Sequence, residues 1–238
     1  LAAQARYQAA SLHTELLRVQ RQRDDIDARR AATERARQEL QQANALLQQK
    51  IQEVQALQDE LRQQAVRDGL TGLFNRRHLN DVLPSMFALA RREQQLLTVA
   101  IIDLDYFKQV NDRHGHLAGD KMLQTFALLL TEHTRQSDVL CRYGGEEFCL
   151  LMPATDAHTA RDKLQTLQAQ WHTKVFSFAS GVVTAQTFSA GVADSRLDTD
   201  LPENLLKCAD DHALAAKRLG RGRVIMLGGE EVSAALRV

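Results

Sequence analysis

Every glycine and proline of this chain lies beyond residue 68, although the 238 residues include 12 of one and 3 of the other. Residues 1–68 are instead rich in Ala, Gln, Arg, Glu and Leu, all good helix formers. With nothing to break it, the segment reads as one long helix. Leu12, Val19, Ile26, Thr33, Leu40, Leu47, Val54 and Leu61 follow one another at seven-residue steps. That is the d seam of a coiled coil, apolar at every position but Thr33. The matching a positions hold Leu16, Arg23, Arg30, Arg37, Asn44, Ile51, Gln58 and Ala65. A polar a seam lowers stability but can fix register. A solitary solvated helix is the alternative, yet about 100 Å of helix would hardly stand without a partner. We expect a dimeric, parallel coiled-coil helix over 1–67, a globular domain over 68–227 and a tail over 228–238.

Past the break, helical and strand patterns alternate. Helices are expected over 79–92, 120–134, 159–170 and 203–219. Residues 96–102 form an apolar run, suited to a central strand over 96–103 buried on both faces. Further strands are expected over 176–183, 187–192 and 224–227. Val139–Tyr143 and Phe148–Met152 are strand-like runs joined by Gly144, Gly145, Glu146 and Glu147. Two glycines there signal a tight hairpin, because glycine takes positive φ at no steric cost. The fold class is α/β (α+β) with a mostly antiparallel central sheet, as the hairpin demands.

The hairpin would lift Glu146 and Glu147 onto an exposed tip. Two carboxylates there suit a hard cation such as Mg²⁺, which takes oxygen ligands and comes with substrate phosphates. Read alone, they are also a plain solvated acidic turn. The central strand ends in Asp103, Leu104 and Asp105. A carboxylate at that end, facing the hairpin, would complete a two-sided clamp for one or two divalent ions. Other functions are narrowed by charge and composition. With 30 basic and 30 acidic residues, net charge is zero and gives no case for a nucleic-acid partner. Cys141, Cys149 and Cys208 lack metal-ligand spacing and read as core thiols of a reducing compartment, hence a cytoplasmic protein. No run reaches the roughly 18 apolar residues that span a bilayer. The chain opens inside a helical pattern without Met, so an upstream sensory domain is expected outside it.

These motifs resemble the GGDEF domains, bacterial diguanylate cyclases. Besides the Arg142–Phe148 hairpin, the resemblance rests on Asp68–Arg77, Asp103–Asp112, Gly115–Asp120 and Lys217–Arg221, in family order over about 66–227. Gly228–Glu231 repeats Gly-Gly-Glu-Glu without the following Phe and reads as a tail loop. The resemblance implies a palm-like, ferredoxin-related fold and the condensation of two GTP into cyclic di-GMP with release of two pyrophosphates. It implies Mg²⁺, with Mn²⁺ an alternative, at up to two ions per site. Asp103, Glu146 and the Leu104 carbonyl match the family's metal ligands. Glu146 also matches a proton acceptor, and Glu147 would hold a second ion or orient the first. Lys108 matches a residue stabilising transition-state charge; by itself it is a surface lysine. The Phe107 and Lys108 backbone N–H groups would cradle phosphates. Asn111, His116 and Asp120 match the nucleoside contacts, although Asp120 also reads as a helix N-cap and His116 as a packing residue. Lys217 and Arg221 match triphosphate ligands, with helix C-capping as the alternative. Ala215 and Gly222 depart from the usual Tyr and Asn, which implies altered packing. Arg135 and Asp138 match a site for feedback inhibition by bound product; a surface ion pair is the plain alternative. A second arginine that often joins it is missing near Thr166. A nucleotide-binding but inactive relative, and a coiled-coil interaction protein with an incidental domain, are the competing readings.

Overall fold

The computed structural model describes residues 2–196 and 201–226. The chain divides into two units, Leu1–Arg62 and Gln63–Val238. Helix α1 (Ala2–Val66) runs for 65 residues, as its freedom from Gly and Pro requires. Leu16, Val19, Ile26, Leu40, Leu47, Ile51 and Val54 are 48–62% exposed along it. An apolar seam is therefore left bare in the single chain. The expected 228–238 tail lies outside the described residues.

The second unit begins with β1 (Phe74–Asn75), α2 (Arg76–Arg92), β2 (Leu97–Leu104), α3 (Phe107–His114) and α4 (His116–Glu132). The hairpin strands β3 (Val139–Arg142) and β4 (Glu147–Pro153) follow, then α5 (Ala157–His172). The chain continues through β5 (Phe176–Phe178), β6 (Gly181–Val183), β7 (Phe188–Asp194), α6 (Pro202–Arg218) and β8 (Val224–Met226). Six strands form one sheet in the order β1-β3-β4-β2-β7-β8. The inner pairs β3–β4, β4–β2 and β2–β7 are antiparallel, and the two edge pairs are parallel.

Strand β2 is buried at all eight positions because helices cover both faces of the sheet. Ala100, Ile102 and Leu104 pack with Met122, Phe126 and Leu130 of α4 and Leu164 and Trp171 of α5. Leu97, Val99 and Ile101 pack with Leu79, Leu83 and Phe87 of α2 and Leu205, Ala209 and Ala213 of α6. This alternation sends Asp103 to the α6 face. Gly191 of β7 lets α6 come close, since a Cβ there would run into the Ala209 carbonyl and the Ala213 nitrogen.

Three expectations change. The segment after Asp105 is helical (α3), because Gly115 at φ 85° lets one helix end and the next begin at once. That moves the start of α4 forward to His116. Residues 176–183 form a separate two-stranded hairpin and add nothing to the main sheet. The third concerns the hairpin glycines: neither Gly144 nor Gly145 takes a positive φ. A Cβ on Gly144 would lie 2.6 Å from the tip of the Glu147 carboxylate, so a larger residue there would displace that side chain.

Candidate active site

The hairpin is fixed at its root and braced at its tip. Phe148 is fully buried, and its ring lies edge-on to Phe126, which also meets Trp171 and Phe188. Burying one such ring stabilises by about 1.5–3 kcal/mol. At the tip, the Tyr143 and Gly144 N–H groups donate to the Glu147 carbonyl at 2.8 and 3.2 Å. Arg142 donates to the Gly145 carbonyl through Nε (3.1 Å) and a terminal nitrogen (2.8 Å). Its other terminal nitrogen reaches both oxygens of Asp68 at 3.1 and 3.2 Å. Asp68 in turn accepts from the Thr71 N–H and hydroxyl. Burial works against its ionisation, but the Thr71 and Arg142 hydrogen bonds outweigh it and hold the Asp68 carboxyl below its usual range.

The tip meets the end of β2. Asp103 and Glu147 are register partners, and the Leu104 N–H donates to the Glu146 carbonyl at 3.3 Å. Asp103 is not on an exposed tip: it is buried, and Lys217 of α6 donates to it at 2.6 Å. Burial pushes the Asp103 carboxyl up; Lys217 opposes that, while Glu147 and Asp105 add to it. Asp103, Leu104, Phe107, Lys108, Glu146, Lys217 and Arg221 line one cavity of about 440 Å³, with Asp105, Tyr106, Gln109 and Asp112. Seven residues expected from sequence are thus brought together. No side chain caps α3 at its N-terminus, so the Phe107 and Lys108 amides begin that helix on the cavity wall. Helix N-termini favour anions.

The donor set tests the implied metal. Among the described residues no three His, Cys, Asp or Glu side chains converge into a ready cage. Mg²⁺ seldom needs one: it is held by one or two carboxylates and completed by water and substrate phosphates. Asp103, Glu146 and the Leu104 carbonyl offer oxygen only, beside open volume, while Glu147 lies next to Asp103 in register but does not line the cavity; Asp103 already holds the Lys217 ammonium. These residues fit a hard divalent cation.

The nucleoside residues lie farther along. Asn111 buries its Oδ1 without a partner, and a Cβ on Gly119 would run into that atom. Within Gly115–Asp120, Gly119 thus matters as well, since it makes room for the Asn111 amide. Asp120 is half-buried inside the first turns of α4 and does not cap it; Gly115 occupies the N-cap. His116, the first residue of α4, is exposed, which removes the packing alternative. Lys217 spends its ammonium on Asp103 and caps nothing, while Arg221 lies over the Tyr106 ring. Gly222 sits at φ 59° and donates its N–H to Asp105 at 3.0 Å. Glycine takes this left-handed backbone freely, and Asn is among the few other residues that tolerate it, so nothing in the structure explains the departure from Asn.

Sequence reasoning missed two residues. Asp105 is buried and accepts from Thr187 (2.7 Å), Ser189 (2.8 Å) and Gly222, tying β2 to β7 and to the turn before β8. Nothing in the spacing marks it apart from Asp103. The other is Lys163 of α5, which donates to Asp138 at 3.2 Å. The Asp138 side chain is only 2% exposed and also accepts from the Arg135 N–H at 2.9 Å. The Arg135 side chain stays exposed. A cation therefore does come from the following helix, three residues before Thr166.

Residues 65–223 match the family described as diguanylate cyclase, GGDEF domain. The chain is 39% identical over 162 residues to the response regulator PleD of Caulobacter vibrioides, covering 68% of this chain and 36% of PleD. It is also 39% identical over 166 residues to the diguanylate cyclase DgcP of Pseudomonas aeruginosa, covering 70% of this chain and 24% of DgcP. The chain thus spans about a third or less of these curated relatives. Among solved structures, the coiled coil and GGDEF domain of DgcB from Caulobacter crescentus, in complex with c-di-GMP, superposes with a TM-score of 0.75 at 26% identity. That match covers 79% of this chain and 98% of the other. The diguanylate cyclase SiaD of Pseudomonas aeruginosa, solved with its activator SiaC, gives 0.65 at 30% identity over 94% of this chain and 88% of that one.

Proposed function

Because the chain belongs to the GGDEF diguanylate cyclase family, we propose that it condenses two GTP into cyclic di-GMP and two pyrophosphates. The observation that carries this reading is the single cavity in which the hairpin, the end of β2, the start of α3 and the end of α6 meet. In each half-reaction the 3′-hydroxyl oxygen of one GTP attacks the α-phosphorus of the other. The bond from that phosphorus to the β-phosphate bridging oxygen breaks, and pyrophosphate leaves. The Phe107 and Lys108 amides, Lys217 and Arg221 hold the phosphates in line; Lys108 offsets charge that grows on them. Asn111 and Asp120 read the guanine edge, where unmatched polar groups would reject another base. A carboxylate at Glu146 takes the hydroxyl proton. Asp103, the Leu104 carbonyl, Glu146 and Glu147 would hold Mg²⁺ or Mn²⁺, one or two ions. When bound, such an ion lowers the hydroxyl pKa and polarises the phosphate.

Three further features belong to this reading. Arg135, Asp138 and Lys163 form a site where product binds and inhibits. The bare seam of α1 pairs in parallel with a second copy, and an upstream sensor acts through that pair. The three free thiols support a cytoplasmic setting. Among the described residues no helix is long and apolar enough to cross a membrane.

The test is turnover. Protein with GTP and Mg²⁺ is expected to yield cyclic di-GMP identified by mass spectrometry. Glu146→Ala is expected to lose about 10²–10³-fold in rate, the usual cost of one transition-state stabiliser, with an unchanged circular dichroism spectrum. A near-normal rate in that folded variant would remove Glu146 from the chemistry.

A further inference from the structure

Two non-glycine residues beside the cavity hold left-handed backbone conformations, Tyr106 at φ 58° and Arg221 at φ 63°. Such conformations are uncommon outside glycine, and they persist where the surroundings enforce them. They lie on separate turns. Tyr106 joins β2 to α3, and Arg221 follows α6. Asp105 ties the turns together, since it precedes Tyr106 and accepts from the N–H of Gly222, which follows Arg221. The same carboxylate is held by Thr187 and Ser189. The Arg221 N–H returns to the Ala216 carbonyl at 3.0 Å, and Arg223 donates to the Arg221 carbonyl at 3.2 Å. Both backbones are thereby fixed.

The outcome is a cation–π pair. The Arg221 guanidinium lies 4.9 Å from the centre of the Tyr106 ring, inside cation–π range. The ring does not serve the core: Tyr106 is 53% exposed. A guanidinium over a ring can engage it through its flat face and keep its in-plane N–H donors for a ligand. Those donors stand on the wall that also carries Lys217 and the uncapped start of α3. A long, exposed arginine would otherwise lose rotamer entropy on meeting a phosphate.

We propose that Tyr106 is a positioning residue whose ring is the platform that presets Arg221 for the β- and γ-phosphates of GTP. The proposal rests on the reading of Arg221 as a triphosphate ligand. Its test is titration calorimetry on the full chain with Mg²⁺ and guanosine 5′-(α,β-methylene)triphosphate, with GMP as the control ligand. The proteins are wild type, Tyr106→Phe, Tyr106→Leu, Arg221→Ala and the double variant Tyr106→Leu with Arg221→Ala. Tyr106→Leu is expected to weaken triphosphate binding about 2- to 30-fold, the equivalent of one cation–π contact, and to leave GMP affinity in place. Tyr106→Phe keeps the ring and is expected to restore the triphosphate affinity. The double variant is expected to bind no more weakly than Arg221→Ala alone, because the platform has nothing left to hold. If Arg221→Ala binds the triphosphate like wild type, the assignment of Arg221 itself fails and the platform goes with it. If Arg221→Ala is weakened but Tyr106→Leu is not, or the two losses add in full, Arg221 keeps its role and the platform is wrong. Equal losses in Tyr106→Phe and Tyr106→Leu, or a matching loss of GMP binding, would overturn it too.

Discussion

Asp138 illustrates how one carboxylate is shared between fold and function. Its side chain is nearly inaccessible and already accepts from the Arg135 N–H and the Lys163 ammonium. It therefore serves chiefly to hold the turn before β3 and to aim Lys163, while the exposed Arg135 guanidinium is the group available to a phosphodiester. Arg135→Ala would then remove a ligand contact and little of the fold. Added cyclic di-GMP is expected to inhibit wild type strongly and Arg135→Ala at least tenfold less, as read from the product concentration that halves GTP turnover. Lys163→Ala is expected to fall between the two, because it frees a buried carboxylate as well as removing a cation. Equal inhibition of wild type and Arg135→Ala would return this cluster to structural duty.

At the scale of elements, the hairpin, the turn at Asp68–Thr71 and α6 share one design: a buried apolar root and a polar strap near the tip. Asp68 lies two residues beyond the end of α1 and reaches the hairpin tip through Arg142 and the Gly145 carbonyl. Its depressed pKa makes that strap a source of pH-dependent stability. The stabilisation is fully present above the ordinary carboxyl value of 3.8 and is lost as pH falls through the lower folded-state value. Asp68→Asn is therefore expected to lower stability at neutral pH and to flatten the acid limb below about pH 4. Denaturant melts across pH 2–7 measure this; parallel acid limbs in the two proteins would mean the strap adds nothing. The elements themselves were largely legible in the sequence. The buried run of β2, the two-faced pattern of α4 and the Gly-Gly turn each carry a local signal. What was not legible depends on distant partners. Helix α3 is short and hidden in a motif, and its start is set by the backbone of Tyr106. Asp105 and Lys163 look like any other charge until β7, the turn before β8 and the Asp138 side chain are brought to them. The Gly144–Gly145 turn was legible, but not that neither glycine takes a positive φ there.

For the whole molecule, the chemistry asks for two domains, since each GTP must meet the other's hydroxyl. On the proposed chemistry one cavity would hold half of that arrangement, and an approximate two-fold pairing of copies would complete it. A parallel coiled coil over α1 would keep two domains at an effective concentration on the order of mM. Its apolar positions are bare in the single chain, and Arg23, Arg30 and Arg37 at the a positions would weaken the pairing enough to let it shift. Leu46 and Leu57, off the main seam and 59% and 53% exposed, offer an alternative line of contact. Two registers of similar energy would present the domains in different orientations, and an upstream sensor need only bias the choice. Cysteine scanning tests this directly. With Cys208, the one native thiol that is not buried, replaced by Ala, single cysteines at Leu47, Ile51, Val54 and Leu57 are crosslinked across the dimer. Crosslinks on the Leu47–Val54 line are expected to give cyclase rates differing severalfold or more from those through Leu57. Reduction with dithiothreitol is expected to bring every variant back to a common rate. If all crosslinked forms turn over GTP equally, register carries no signal. If the uncrosslinked chain stays monomeric and fully active on dilution, the helix does not pair the domains at all.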